Sequence, residues 1–116
     1  MKKEEMENYL TEAIEYLKTI KPLKIMLFGS TAKVDLREYS DLDFLIVLDN
    51  DQIPATYEDK MALKLEVRKC LHNLNKKVPI DLLIYTIPEY EELKSINSSF
   101  YREIHNSGKI VYEKAG

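Results

Sequence analysis

The stretch that decides the fold runs from Leu27 to Val47, LFGSTAKVDLREYSDLDFLIV. It opens on the end of a short apolar run, Lys24–Phe28 (KIMLF), bounded by Pro22 and Gly29, which reads as a buried strand. Gly29-Ser30 follows at once, and Ser30–Lys33 has room to open a short helix. Glycine lets a backbone come close to a ligand, and helix-start N–H groups with a hydroxyl make a cradle for phosphate oxygens. That pair alone is a weak signal, since a tight strand–helix turn with an N-cap looks the same.

Ten residues on stands Ser40-Asp41-Leu42-Asp43, at the entrance of a second strand, Leu42–Leu48. Alternate side chains of a strand share a face, so Asp41 and Asp43 project together and Leu42 turns away. Two carboxylates aimed the same way repel unless a cation sits between them. Such hard oxygen donors suit Mg²⁺ or Mn²⁺. Two ions about 3.5–4 Å apart can clamp the entering and leaving oxygens of an in-line displacement at phosphorus. A lone Asp-x-Asp is more often a cap and a solvated strand end. Here a third carboxylate, Asp81, interrupts the apolar strand Ile80–Tyr85, where it is costly unless paired or liganded. If that strand lies beside Leu42–Leu48, all three acids meet at one end of the sheet.

Outward from this unit, Leu10, Ile14 and Leu17 repeat at helical spacing over residues 4–20, with Pro22 as the stop. Residues 57–74 regain that period through Leu63, Val67, Cys70 and Leu74, which makes Cys70 a candidate buried core thiol. Ile87-Pro88 breaks the pattern, residues 89–106 suggest one or two short helices ended by Gly108, and Lys109–Tyr112 suggests a short edge strand. The expected fold is α/β (α+β), a small mixed β-sheet flanked by helices, with residues 1–116 as a single domain. His72 and His105 fit a zinc pattern no better than the single cysteine does, and Asp49-Asn50-Asp51 lacks the glycine and closing glutamate of a calcium loop.

The totals narrow the function. A chain of 116 residues with 45% hydrophobic and 32% charged residues has the profile of a soluble globular domain. No apolar run reaches membrane-spanning length, no apolar h-region follows the charged N-terminus, and one cysteine allows no internal disulfide; a cytoplasmic location and no membrane partner are expected. The net charge of −3 disfavours stable nucleic-acid binding, and would repel a nucleoside triphosphate unless divalent metal bridges the two.

Strand, Gly29-Ser30, about ten residues, Asp41-x-Asp43, strand, and a later strand Asp81 together resemble the DNA polymerase β-like nucleotidyltransferase superfamily, and more narrowly its minimal nucleotidyltransferases, often encoded beside a HEPN-domain protein. The resemblance implies the nucleotidyltransferase fold. It implies that Gly29 and Ser30 hold the triphosphate with Lys33 near it, and that Asp41 and Asp43 bind two Mg²⁺ (or Mn²⁺). Asp81 would ligate the nucleophile-side metal and help deprotonate the attacking hydroxyl. It further implies transfer of a nucleoside monophosphate, AMP from ATP, to a protein hydroxyl, with the chain as antitoxin to a HEPN-type toxin. The family commonly has Arg-Gly where this chain has Lys33-Val34, which keeps a positive charge but loses the bidentate fork of arginine and the freedom of glycine. Two other readings remain: an antitoxin acting by contact alone with a weak metal site, and a nucleotidyltransferase for a small molecule such as an aminoglycoside, which would normally need an added substrate-binding domain.

Overall fold

The computed structural model describes residues 3–28 and 41–115. In chain order it contains α1 (Lys3–Lys18), β1 (Lys24–Phe28), β2 (Leu42–Val47), α2 (Tyr57–Cys70), α3 (His72–Asn75), β3 (Ile80–Tyr85), α4 (Ile87–Ile96), α5 (Ser99–Ser107) and β4 (Lys109–Glu113). The described strands form one mixed sheet in the order β3-β2-β1-β4. β1 is antiparallel to both β2 and β4, and β2 is parallel to β3. The α/β architecture expected from the sequence is the one observed.

β2 is central, and its apolar run explains why. Leu42, Phe44, Leu45, Ile46 and Val47 are all essentially inaccessible to solvent, which requires cover on both faces. Leu42, Phe44 and Ile46 point to one side and pack with Met6, Ala13 and Leu17 of α1 and with Val67, Leu71 and Leu74 of α2–α3. Leu45 and Val47 point to the other and pack with Met26, Tyr90 of α4 and Ile104 of α5. The sheet is thus the middle layer between two helical layers. Among the described residues no helix is long and apolar enough to cross a membrane.

Local chemistry sets the boundaries. α2 starts at Thr56, whose hydroxyl accepts the Asp59 N–H at 3.1 Å. The helical period expected over 57–74 is broken at Leu71, which closes α2 before α3 begins. Leu71 is buried and Cys70 only half-buried, so the core stripe runs through Val67, Leu71 and Leu74, with the thiol at its margin. Ile87-Pro88 does not break a helix but starts one. Thr86 is the N-cap of α4, the Glu89 carboxylate accepts the Thr86 N–H at 2.9 Å, and Pro88 occupies the first turn, where an N–H has no intrahelical partner anyway. Gly108 follows α5 in extended conformation, not in the left-handed one of a usual glycine cap. Its requirement is space: a Cβ there would lie 2.2 Å from the Ile104 carbonyl oxygen.

Candidate active site

Two features of the sheet bring the acids together. Asp43 is the second residue of β2 and Asp41 stands just before that strand, so their side chains leave one face. Asp81 is the second residue of β3, and the parallel register pairs it with Asp43. In-register neighbours on one face approach within about 5 Å at Cβ. Asp41, Asp43 and Asp81 each offer one carboxylate oxygen within 4.8 Å of the others. They lie on the face that carries Leu45 and Val47, at the end of the sheet that α4 and α5 leave uncovered.

Burial is unequal. Asp41 and Asp43 are half-buried, whereas Asp81, on the outer strand of the described sheet, is exposed. The desolvation cost expected of Asp81 therefore falls on Asp43. Its carboxyl is pushed up from 3.8 to about 6, first by burial, then by the charge of Asp41 and by a hydrogen bond and the charge of Asp81. Without a counter-cation this group therefore takes up a proton at a higher pH than an ordinary aspartate does. The same crowding makes the cluster a good oxygen cage for a small divalent ion, with Mg²⁺ or Mn²⁺ matching the all-carboxylate donor set.

Gly29, Ser30 and Lys33 lie outside the described residues, as does the short helix expected at Ser30–Lys33. Phe28, the last described residue of β1, pairs with Asp43, so the chain leaves β1 beside the acids. Among the described residues neither histidine joins the three acids as a candidate ligand. His72 is exposed on α3, and Nε2 of His105 lies 2.5 Å from the Tyr90 hydroxyl, within an aromatic group that includes Tyr101. Asp49 pairs with Lys114 at 2.6 Å.

Sequence reasoning did not single out Lys60. Its ammonium donates to the Ile84 carbonyl and to Glu89 at 2.8 Å, tying α2 to β3 and α4. Burial works against the Glu89 charge, but the Lys60 hydrogen bond and the Thr86 N–H outweigh it and hold the carboxyl below its usual range. Nothing in the helical period marks a lysine as half-buried, so no signal in the sequence could have found it.

Comparison with known proteins places these residues in a wider set. The family profile described as "Polymerase beta, Nucleotidyltransferase" matches residues 11–115. "Putative protein adenylyltransferase MJ0604" of Methanocaldococcus jannaschii is 37% identical over 91 residues, covering 77% of each chain. "Putative protein adenylyltransferase MJ0141" of the same organism is 32% identical over 88 residues, covering 76% of this chain and 77% of its own.

Proposed function

The chain belongs to the polymerase β nucleotidyltransferase family, and from that premise we propose that it transfers AMP from ATP to a protein hydroxyl in a metal-dependent reaction. The observation that carries the proposal is the meeting of Asp41, Asp43 and Asp81 within 4.8 Å across two parallel strands. The names of the two archaeal relatives support adenylate as the group moved and protein as the acceptor. The match over residues 11–115 supports treating the chain as one catalytic unit.

In this reading the hydroxyl oxygen attacks the α-phosphorus of ATP. A new P–O bond forms as the bond to the bridging oxygen of pyrophosphate breaks, and pyrophosphate leaves. The hydroxyl proton passes to Asp81, the most exposed and accessible of the three acids. Asp41 and Asp43 would hold the metal. Bound Mg²⁺ or Mn²⁺ would neutralise the triphosphate and stabilise charge on the entering and leaving oxygens. Gly29, Ser30 and Lys33 are assigned to the triphosphate on the strength of the motif alone. The acceptor we favour is a HEPN-type toxin in the cytoplasm, with the enzyme as its antitoxin; this rests on the likeness to minimal nucleotidyltransferases.

Titration of ATP with Mg²⁺ or Mn²⁺ into the pure protein, beside an Asp41→Asn/Asp43→Asn control, is the test. Metal-dependent binding lost in the control supports the site. Equal binding by both folded proteins would overturn it. Where a toxin partner is in hand, the same double variant should still form the complex but fail to neutralise; full neutralisation would favour action by contact alone.

A further inference from the structure

The outer edge of β3 runs straight into the acidic cluster, and its backbone groups are selectively capped. Leu42 donates its N–H to the Pro79 carbonyl and Leu48 donates to the Tyr85 carbonyl. By the alternation of a strand, the odd-numbered residues of β3 turn their peptide groups toward β2, and Ile80, Leu82 and Ile84 turn theirs outward. Side chains close the two ends of that edge: Asn75 Oδ1 accepts the Ile80 N–H at 2.9 Å, and Lys60 donates to the Ile84 carbonyl. Between these caps the outward N–H and C=O of Leu82 have no partner among the described residues. An open cavity of about 590 Å³ lies along this stretch, lined by Arg68, His72, Leu82 and Asp81.

We propose that this edge is the acceptor-binding site: an extended segment of a partner protein pairs with β3 as an added strand, and its hydroxyl residue opposite Asp81 is the one modified. The proposal rests on the protein-hydroxyl reading above and specifies how the acceptor is held.

Three features argue for that occupant. A residue paired in register with Asp81 must send its side chain to the same face, which carries the three carboxylates. The adjacent residues of the segment must point to the opposite face, where α2 and α3 lie. That flank carries two cations, Lys64 and Arg68, four residues apart on α2, with Arg68 lining the cavity; Lys60, one turn earlier, is already paired with Glu89. In a chain of net charge −3, two cations beside an open strand favour a partner segment with an acidic residue. The segment that fits is therefore short, extended, and carries an acidic residue next to its hydroxyl residue. Strand addition of this kind draws affinity from main-chain bonds and specificity from alternate side chains.

The test uses nine-residue peptides with a central tyrosine, serine or threonine and flanking glutamate, glutamine or lysine. Each is incubated with the protein, ATP and Mg²⁺ or Mn²⁺, and the added AMP is read by mass spectrometry. Glutamate flanks should raise the labelling rate at least tenfold over lysine flanks, and Arg68→Glu should reverse the preference while metal-dependent ATP binding persists. N-methylation scanned along the best peptide should block labelling at alternate positions only. Labelling indifferent to flank charge, or to N-methylation, would overturn the edge as the site. So would failure to label any peptide while ATP binds with metal, or a concentration-dependent dimer through β3 that peptides do not displace. Loss of metal-dependent ATP binding altogether would instead overturn the catalytic reading on which the proposal rests.

Discussion

Replacing Asp43 with asparagine should stabilise the metal-free protein while removing the site's capacity for metal. The Asp43 carboxyl titrates near 6 in the folded chain against 3.8 as its ordinary value. A carboxyl raised in this way contributes stability that is complete below about 3.8 and lost as pH rises through about 6. A rise of that size converts to about 3 kcal/mol at 1.36 kcal/mol per pH decade. Asp43 is half-buried, so solvent screening reduces the usable figure to about 1–2 kcal/mol. Urea unfolding in EDTA at pH 7.5 should therefore show the Asp43→Asn protein about 1–2 kcal/mol more stable than the parent, with the midpoint about 1 M higher. Near pH 4 the two curves should converge, because the parent carboxyl is then protonated. Addition of Mg²⁺ at a hundred times its dissociation constant should raise the parent alone, by about 2.7 kcal/mol, and reverse the order. A variant no more stable than the parent at pH 7.5, or equally more stable at both pH values, would refute the claim that crowded acids strain this site.

Other consequences can be measured on the same protein. Phe44→Ala empties the middle of the core at a fully buried position and should cost about 3–5 kcal/mol in urea unfolding. Lys60→Met leaves the half-buried Glu89 without its cation and should cost about 2 kcal/mol at pH 7. The Glu89 carboxyl is held below 4.5 in the parent, so its contribution is present above 4.5 and fades as pH falls through its folded value; the Lys60→Met protein should lose that part of the acid dependence of stability. Gly108→Ala drives a Cβ into the Ile104 carbonyl and should cost about 1–3 kcal/mol while leaving ATP binding intact. Tyr90→Phe removes the contact with His105 on the far part of the sheet, lowering stability by about 1 kcal/mol without altering metal-dependent ATP binding.

Much of this was legible because the strands carry strong signals. Apolar runs bounded by proline or glycine locate Lys24–Phe28 and Ile80–Tyr85 to the residue, and unbroken apolarity past Asp43 marks β2 as doubly covered. Helix ends were less legible, since they depend on single contacts. Leu71, buried in the core, leaves helical geometry and ends α2, and Pro88 lies in the first turn of α4 because Thr86 and Glu89 cap it; a proline seen without its cap reads as a break. The position of Asp81 was foreseen but its environment was not. Only the strand order makes β3 the outer strand of the described sheet, and strand order depends on pairing between distant residues. The cations beside β3 were hidden for the same reason, as the four-residue spacing of Lys64 and Arg68 alone describes any solvated helix face.

Parallel pairing is what turns scattered acids into one cluster. Asp43 and Asp81 are each the second residue of their strand. In an antiparallel pair matched end to end, second residues lie at opposite ends, three residues or about 10 Å apart at a rise of 3.3 Å each. Parallel strands demand a crossover, and residues 48–79 supply it through α2 and α3 over one face. The same crossover that buries Val67, Leu71 and Leu74 against β2 thus fixes Asp81 beside Asp43 and sets Lys60 and Arg68 of α2 beside β3. Shifting the β2–β3 register by two residues, by inserting Val-Thr before Ile80, should preserve the faces but separate the acids by about 6–7 Å. The inserted protein should then fold with near-parent circular dichroism yet lose both metal-dependent ATP binding and the rise in stability on adding Mg²⁺. Retention of either would show that the acids do not act as a unit.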